Sequence, residues 1–305
     1  MDEALVLCRF VQFTAAMLIL GIAGFRAYAL AGSTHCAAAA DILMNFDSRF
    51  GRVLLITSLI ALISAVMLVF CQTAQMMGSL TAAMDFGAIR AVLFDTRFGR
   101  VWCWHLVFAA MLVAACLYRQ RNRSVVLTLA FLLLASLGWI GHAAMAEGAA
   151  RIGHELNQTV HLIAAGLWLG GLAPLAWLLR QTQHRRDKRP LFSIALRNFS
   201  HMGYAAVALI ALTGTINAFL LVGSFGALIA TPYGRLLAIK ILLFAAMVGV
   251  ALVNRLYLAP RISDTAGPLR ALGRTAALEL GLGLLVLAVV SVLGTWPPAL
   301  YGTSH

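Results

Sequence analysis

The side chains best suited to chemistry are gathered in one short stretch. From Gly141 to Gly171 the chain reads GHAAMAEGAARIGHELNQTVHLIAAGLWLGG. It sets His142, Met145, Glu147, His154, Glu155 and His161 between two very apolar segments. Polar, metal-competent groups are costly beside hydrocarbon, so several in one place point to a site. Imidazole and thioether together suit copper better than hard cations, which want oxygen, and thioether favours the cuprous ion. His142 and Met145 stand three apart and share a helix face, so one ion can meet both. His154 and His161 stand seven apart, about 10.5 Å along a straight helix. That spacing suits two successive stations, or ligation with partners from other helices. Trp168 extends the same face.

His105, one turn into another apolar segment, is a further candidate. For it, and for His154 beside Arg151 and Glu155, the competing reading is a hydrogen-bonded or solvated interfacial residue. Met76, Met77 and Met84 could add soft ligands or simply fill space. Lys240 and Glu279 are isolated charges in apolar surroundings, and their register places them at different depths. Asn217, within Thr213-Gly-Thr-Ile-Asn217, suits helix packing as well as a pathway. His305 is terminal. Nothing pairs a serine or cysteine nucleophile with a base, and no HExxH occurs, so no catalytic residue is expected.

The elements that must position these groups follow from composition. The chain has 305 residues, 62% hydrophobic and 11% charged, where soluble domains are nearer a quarter charged. Apolar runs near the ~20 residues that cross a bilayer recur along it. The expected fold is a single all-α domain over 1–305: a polytopic bundle of eight transmembrane helices. The spans are roughly 4–31, 53–78, 101–118, 124–146, 155–179, 199–223, 233–258 and 271–295. No cleavable signal peptide is read at MDEALVLCRF. The stretch from Gly78 to Arg100 could lie on the membrane as an amphipathic helix, and Arg26 can snorkel to an interface.

The net charge of +12 argues for topology rather than nucleic acid, because the basic residues sit in short connections. Most of the Lys and Arg fall in alternate ones: 26–52, 119–123, 180–197 and 255–274. By the positive-inside rule these are cytoplasmic, which places both termini in the periplasm, together with the loops holding Met84, His142 and Glu147. Five scattered Cys without a CxxC give no disulfide framework.

One internal echo stands out. Phe46-Asp-Ser-Arg-Phe-Gly-Arg52 and Phe94-Asp-Thr-Arg-Phe-Gly-Arg100 differ at one position, and Thr231-Pro-Tyr-Gly-Arg235 is a looser copy. Each precedes a span, so a shared helix-start device is expected: a polar cap, an interfacial aromatic and a snorkelling Arg. The expected topology puts the first copy inside and the others outside, which argues against a structural duplication.

Several stretches resemble a known family. They are GHAAMAEG (141–148), Val160-His-Leu-Ile-Ala-Ala-Gly-Leu-Trp-Leu-Gly-Gly171, Thr96-Arg-Phe-Gly-Arg-Val-Trp102, Tyr233-Gly-Arg-Leu-Leu-Ala-Ile-Lys240, Asn254-Arg255 and Gly294-Thr-Trp296. Together they look like the copper resistance protein D (CopD) family of bacterial inner-membrane proteins, YebZ-like members included. The resemblance covers nearly the whole chain. It implies an eight-helix inner-membrane protein for copper uptake or homeostasis, served by a periplasmic copper-binding protein of the CopC type. No such carrier is read within the chain, so a separate partner is expected. The resemblance also makes His142 and His161 the recurrent histidines, with Trp168 in the accompanying motif. Some members carry His where this chain has Gln158.

The expected function is thus copper transport from periplasm toward cytoplasm through an outer-leaflet His/Met site. His142 and His161 would be the ligands, supported by Met145, Glu147, His154 and His105. Two alternatives stand beside it. One is a membrane haem protein carrying electrons, or a cupric reductase, because paired histidines also serve bis-imidazole haem. The other is a metal-free structural subunit whose histidines bond Glu147 and Glu155.

Overall fold

The computed structural model describes residues 2–31, 39–118, 122–141, 148–182, 189–261 and 266–300. Among these every regular element is helical. Helix α1 (Asp2–Gly24) ends in a π-helical turn, Phe25–Ala29, and α2 (Ala39–Met77) follows. A short amphipathic helix, α3 (Phe86–Asp95), leads into α4 (Arg97–Leu117) and α5 (Arg123–Ser136). The second half repeats the order: α6 (Gly148–Thr182), α7 (Arg189–Val222), a short α8 (Phe225–Ala230), α9 (Pro232–Val253) and α10 (Ala266–Leu293). Among the described residues seven helices are long and apolar enough to cross a membrane; the apolar stretch Arg123–Trp139 is shorter. The chain is a multi-pass membrane protein. Exposed Leu, Ile, Val and Phe on these helices are what lipid contact requires.

The starts of α1, α4, α6 and α9 share one face of the bundle, here the N-terminal face. Arg9 there lies against Gly294 at the end of α10. At the opposite face Asp47 accepts from Arg26 Nε at 2.8 Å and from Arg123 Nη2 at 2.6 Å, tying α1, α2 and α5. Arg26 is therefore held by a carboxylate rather than only snorkelling.

The two halves are copies. α1 packs on α2 and α5 as α6 packs on α7 and α10; α5 closes on α6 as α10 closes on α1; α3 sits on α4 as α8 sits on α9. Gly78 and Gly223 end α2 and α7 with φ of 67° and 78°, the left-handed backbone that glycine adopts without a Cβ penalty. Where α1 crosses α6, equivalent glycines meet. A Cβ on Gly170 would lie 2.0 Å from the Met17 carbonyl oxygen, and one on Gly21 2.1 Å from the Gly170 carbonyl carbon. Small residues of this kind let membrane helices approach to backbone contact.

This duplication corrects the expectation drawn from the sequence echo. Thr96 and Thr231 are true equivalents. Each is an N-cap, φ/ψ −95°/154° and −93°/150°, accepting from the backbone N–H of Gly99 or Gly234. A Cβ on either glycine would strike a carbonyl of the preceding short helix, 2.1 Å from Val92 O or 2.3 Å from Ala227 O. The first copy, 46–52, caps nothing. It lies inside the unbroken α2, where Phe46 and Phe50 pack with Phe25 and Trp177.

Candidate functional site

Of the residues singled out, His142, Met145 and Glu147 lie outside the described residues, as do Cys36, His184 and His305. His105, His154, Glu155 and His161 are all buried, and they do different things.

His105 is on α4, stacked on Trp102 at 4.5 Å between ring centroids. Both ring nitrogens are used. Gln12 on α1 donates to Nε2 at 2.7 Å, and Nδ1 meets Ser136 Oγ at 2.7 Å. The Ser136 hydroxyl donates to Leu133 O, so Nδ1–H is the donor to Ser136. Ser64 on α2 donates to Gln12 Oε1 and completes the group. A buried imidazole with both nitrogens bonded is a structural tie. His105 is fully buried rather than interfacial, and its partners are Gln12 and Ser136, not a glutamate. It also has no nitrogen left for a haem iron in this arrangement.

His161, on α6, is bonded at one nitrogen. Nδ1 meets Thr213 Oγ1 on α7 at 2.9 Å. The Thr213 hydroxyl donates to Leu209 O, so Nδ1 carries the proton and Nε2 presents its lone pair. No described residue bonds Nε2. A histidine whose Nδ1–H is fixed by a neighbour, with Nε2 open, is arranged as a metal ligand commonly is. Cε1 of the same ring faces Gly214, where even a Cβ would lie only 3.5 Å away. Lys240 on α9 is near enough to act on His161 electrostatically.

Polar groups continue along this seam. Asn157 Nδ2 donates to Thr213 O at 3.0 Å and to Asn217 Oδ1 at 2.8 Å, and Asn217 Nδ2 donates to Gln158 Oε1 at 2.7 Å. Asn217, Thr213 and Gln158 thus belong to one partly buried α6–α7 network. One turn beyond Asn157, His154 is buried at 7% exposure rather than solvated. Glu155 is fully buried and accepts from Arg97 at the start of α4, with its second oxygen unpartnered. Among the described residues no three His, Cys, Asp or Glu side chains converge on one point. Met76 and Met77 are about half exposed, and Met84 is 84% exposed on its linker.

Seven residues further along α6, Trp168 packs edge-on against Phe244 of α9, 6.2 Å between centroids. Gly203 on α7 lies beside the indole. Beyond it lies a cavity of about 270 Å3 between α6, α7, α9 and α10.

The duplication relates the two histidine sites. A separation of 149 residues carries Gly21 to Gly170, Gln12 to His161 and Ser64 to Thr213. A separation of 135 carries Thr96 to Thr231 and His105 to Lys240. The same three positions therefore hold Gln12, Ser64 and His105 in one half and His161, Thr213 and Lys240 in the other. Sequence reasoning passed over Gln12, Ser64 and Ser136. The signal available was a lone glutamine in the first apolar run, at a fixed distance from His161.

Two family descriptions match the chain: "Copper resistance protein D-like, N-terminal domain" over residues 1–152 and "Copper resistance protein D" over 193–293. The "Inner membrane protein YebZ" of Escherichia coli (strain K12) is 33% identical over 297 residues, 95% of this chain and 97% of that protein. The chain belongs to the copper resistance protein D family. Within that family, the "Copper resistance protein D" of Pseudomonas syringae pv. tomato is 30% identical over 312 residues, 97% of each chain. The "Copper transport protein CutJ" of Bacillus subtilis (strain 168) is 29% identical over 228 residues, 72% of this chain and 40% of that protein.

Proposed function

We propose that this protein carries copper across the bacterial inner membrane, from periplasm toward cytoplasm, as cargo and not as the substrate of a reaction. The observation that carries the reading is His161: buried, oriented by Thr213, and open at Nε2 within a polar seam. The N-terminal face is taken as periplasmic, on the strength of the basic residues at the opposite face. All eight apolar segments then cross the membrane, and both termini lie outside. Copper arrives from a periplasmic protein of the CopC type at the stretch holding His142, Met145 and Glu147. It is taken up by His161, with His154 one station nearer the surface, and passes Trp168 into the cavity beyond. His105 stands aside from this route as a tie between α1, α4 and α5. Copper names among the relatives and the soft-donor composition of the stretch 142–161 both support the cargo.

The test is copper binding and accumulation in H142A, H161A and the double variant. Expected is loss of bound copper in the double variant with the fold retained. Wild-type stoichiometry and accumulation there would end this reading. The visible spectrum of the same samples reads the haem alternative, through a Soret band accompanied by iron.

A further inference from the structure

The two halves differ most where α7 faces α9. Their counterparts α2 and α4 pack along each other, whereas α7 and α9 barely touch. The gap is the cavity of about 270 Å3, reaching from Trp168 toward the face opposite the N-terminus. Its wall is almost wholly apolar, built by residues such as Leu172, Phe199, Val207 and Val248. Glu279 on α10 stands in this wall, 2% exposed. Asn254 Nδ2 donates to one of its carboxyl oxygens, and Asn254 Oδ1 is buried without a partner. Among the described residues no cation is in ion-pair contact with Glu279. The other titratable groups lining the cavity are Arg255 and Tyr204, and Arg255 Nε donates to Tyr204 Oη at 3.1 Å. Lys240, the other isolated charge, makes no ion pair with Glu279.

A carboxylate in an apolar wall with a single hydrogen bond is poorly stabilised. It needs a proton or a nearby cation. Asn254 can serve either state, since its amide donates to the carboxylate or, turned over, accepts from the acid. The donors at hand are one carboxyl and one amide, which suit a proton far better than a soft metal ion. We infer that Glu279 and Asn254 form an exchangeable proton site on the cavity: Glu279 is the neutral acid when the cavity is empty and gives up its proton when a monovalent cation occupies it. The O–H bond breaks, the proton leaves to water, and the carboxylate balances the incoming positive charge. No oxidation state changes. This rests on the copper reading only for the identity of the cation.

The test is infrared difference spectroscopy of the full chain in lipid. Wild type is expected to show a carboxylic acid C=O band that bleaches both as pH is raised without metal and when cuprous ion is added at fixed pH. E279Q should lack that band. N254L keeps the carboxyl but removes its amide partner, and should move the band to higher wavenumber, so a misfolded E279Q does not end the test. H161A should keep the pH-dependent band and lose its response to cuprous ion, which separates failure of the copper site from failure of this one. A wild-type band absent at every pH, or present unchanged in E279Q, overturns the inference. So does a band that cuprous ion leaves intact in wild type while copper is bound.

Discussion

The triplet Gln12–Ser64–His105 and the triplet His161–Thr213–Lys240 occupy equivalent places in two copies of one architecture. In the first, every donor meets an acceptor, and Trp102 covers the imidazole. In the second, the imidazole has moved from the α4 position to the α1 position of the motif. A hydroxyl holds one nitrogen, and an ammonium stands where the other half has its histidine. The first half is closed by α2 on α4; the second is left open by α7 from α9. On the proposed reading, a duplicated bundle keeps one copy as scaffold and spends the other on function. Whether a buried histidine is a tie or a ligand is decided by how many of its nitrogens the neighbours use.

The sharpest way to break this comparison is to remove each histidine in turn. H161A is expected to weaken cuprous binding by at least about 100-fold, since even indirect supports of a metal site cost 10–100-fold. It should leave thermal unfolding in detergent nearly unchanged. H105A is expected to do the reverse. It strands Gln12 and Ser136 in the interior at a cost of roughly 1–3 kcal/mol, with copper stoichiometry intact. Equal effects from the two variants in both assays would end the distinction.

Smaller changes sharpen it. K240M removes a positive charge beside His161 and should tighten cuprous binding by about tenfold, or ~1.4 kcal/mol, read by competition with a cuprous chelator. Weaker binding would instead make Lys240 a support of the site. The N-caps test the duplication itself: T96A and T231A should each destabilise by about 1 kcal/mol, to the same extent, with no change in copper bound. A difference well beyond that between them would mean that the two helix starts are not equivalent.

Much of the architecture was legible in advance. Described helices lie over each of the expected stretches with other ends, and seven of them are long and apolar enough to cross a membrane. α2 starts at Ala39 rather than near 53, and α6 at Gly148 rather than near 155, because amphipathic turns continue beyond the hydrocarbon. Of the fourth span, residues 142–146 lie outside the described residues; the apolar helix described there is Arg123–Trp139, and Gly141 has φ 80°. The surface helix before α4 was expected and stands at Phe86–Asp95. His161 stands out in the sequence by its company and its depth, and the structure adds its Nδ1 contact with Thr213. His105 could not be set aside, because nothing local to His105 reveals that Gln12, 93 residues earlier, would take its second nitrogen.

Composition and periodicity alone fixed a bundle of apolar helices, because a membrane leaves the backbone no other open course. Soft donors between two of those apolar runs likewise suggest the class of the proposed cargo. Only the tertiary structure separated residues of like type. Phe46-Asp-Ser-Arg-Phe-Gly-Arg52 runs through a continuous helix, and Phe94-Asp-Thr-Arg-Phe-Gly-Arg100 breaks into a cap. The local preference between those states is about 1 kcal/mol. The surroundings differ: Asp47 meets Arg26 and Arg123, whereas Gly99 lies against the carbonyls of α3. The same holds for the histidines: type and depth are written in the chain, but the count of bonded nitrogens is set by helices that arrive from elsewhere.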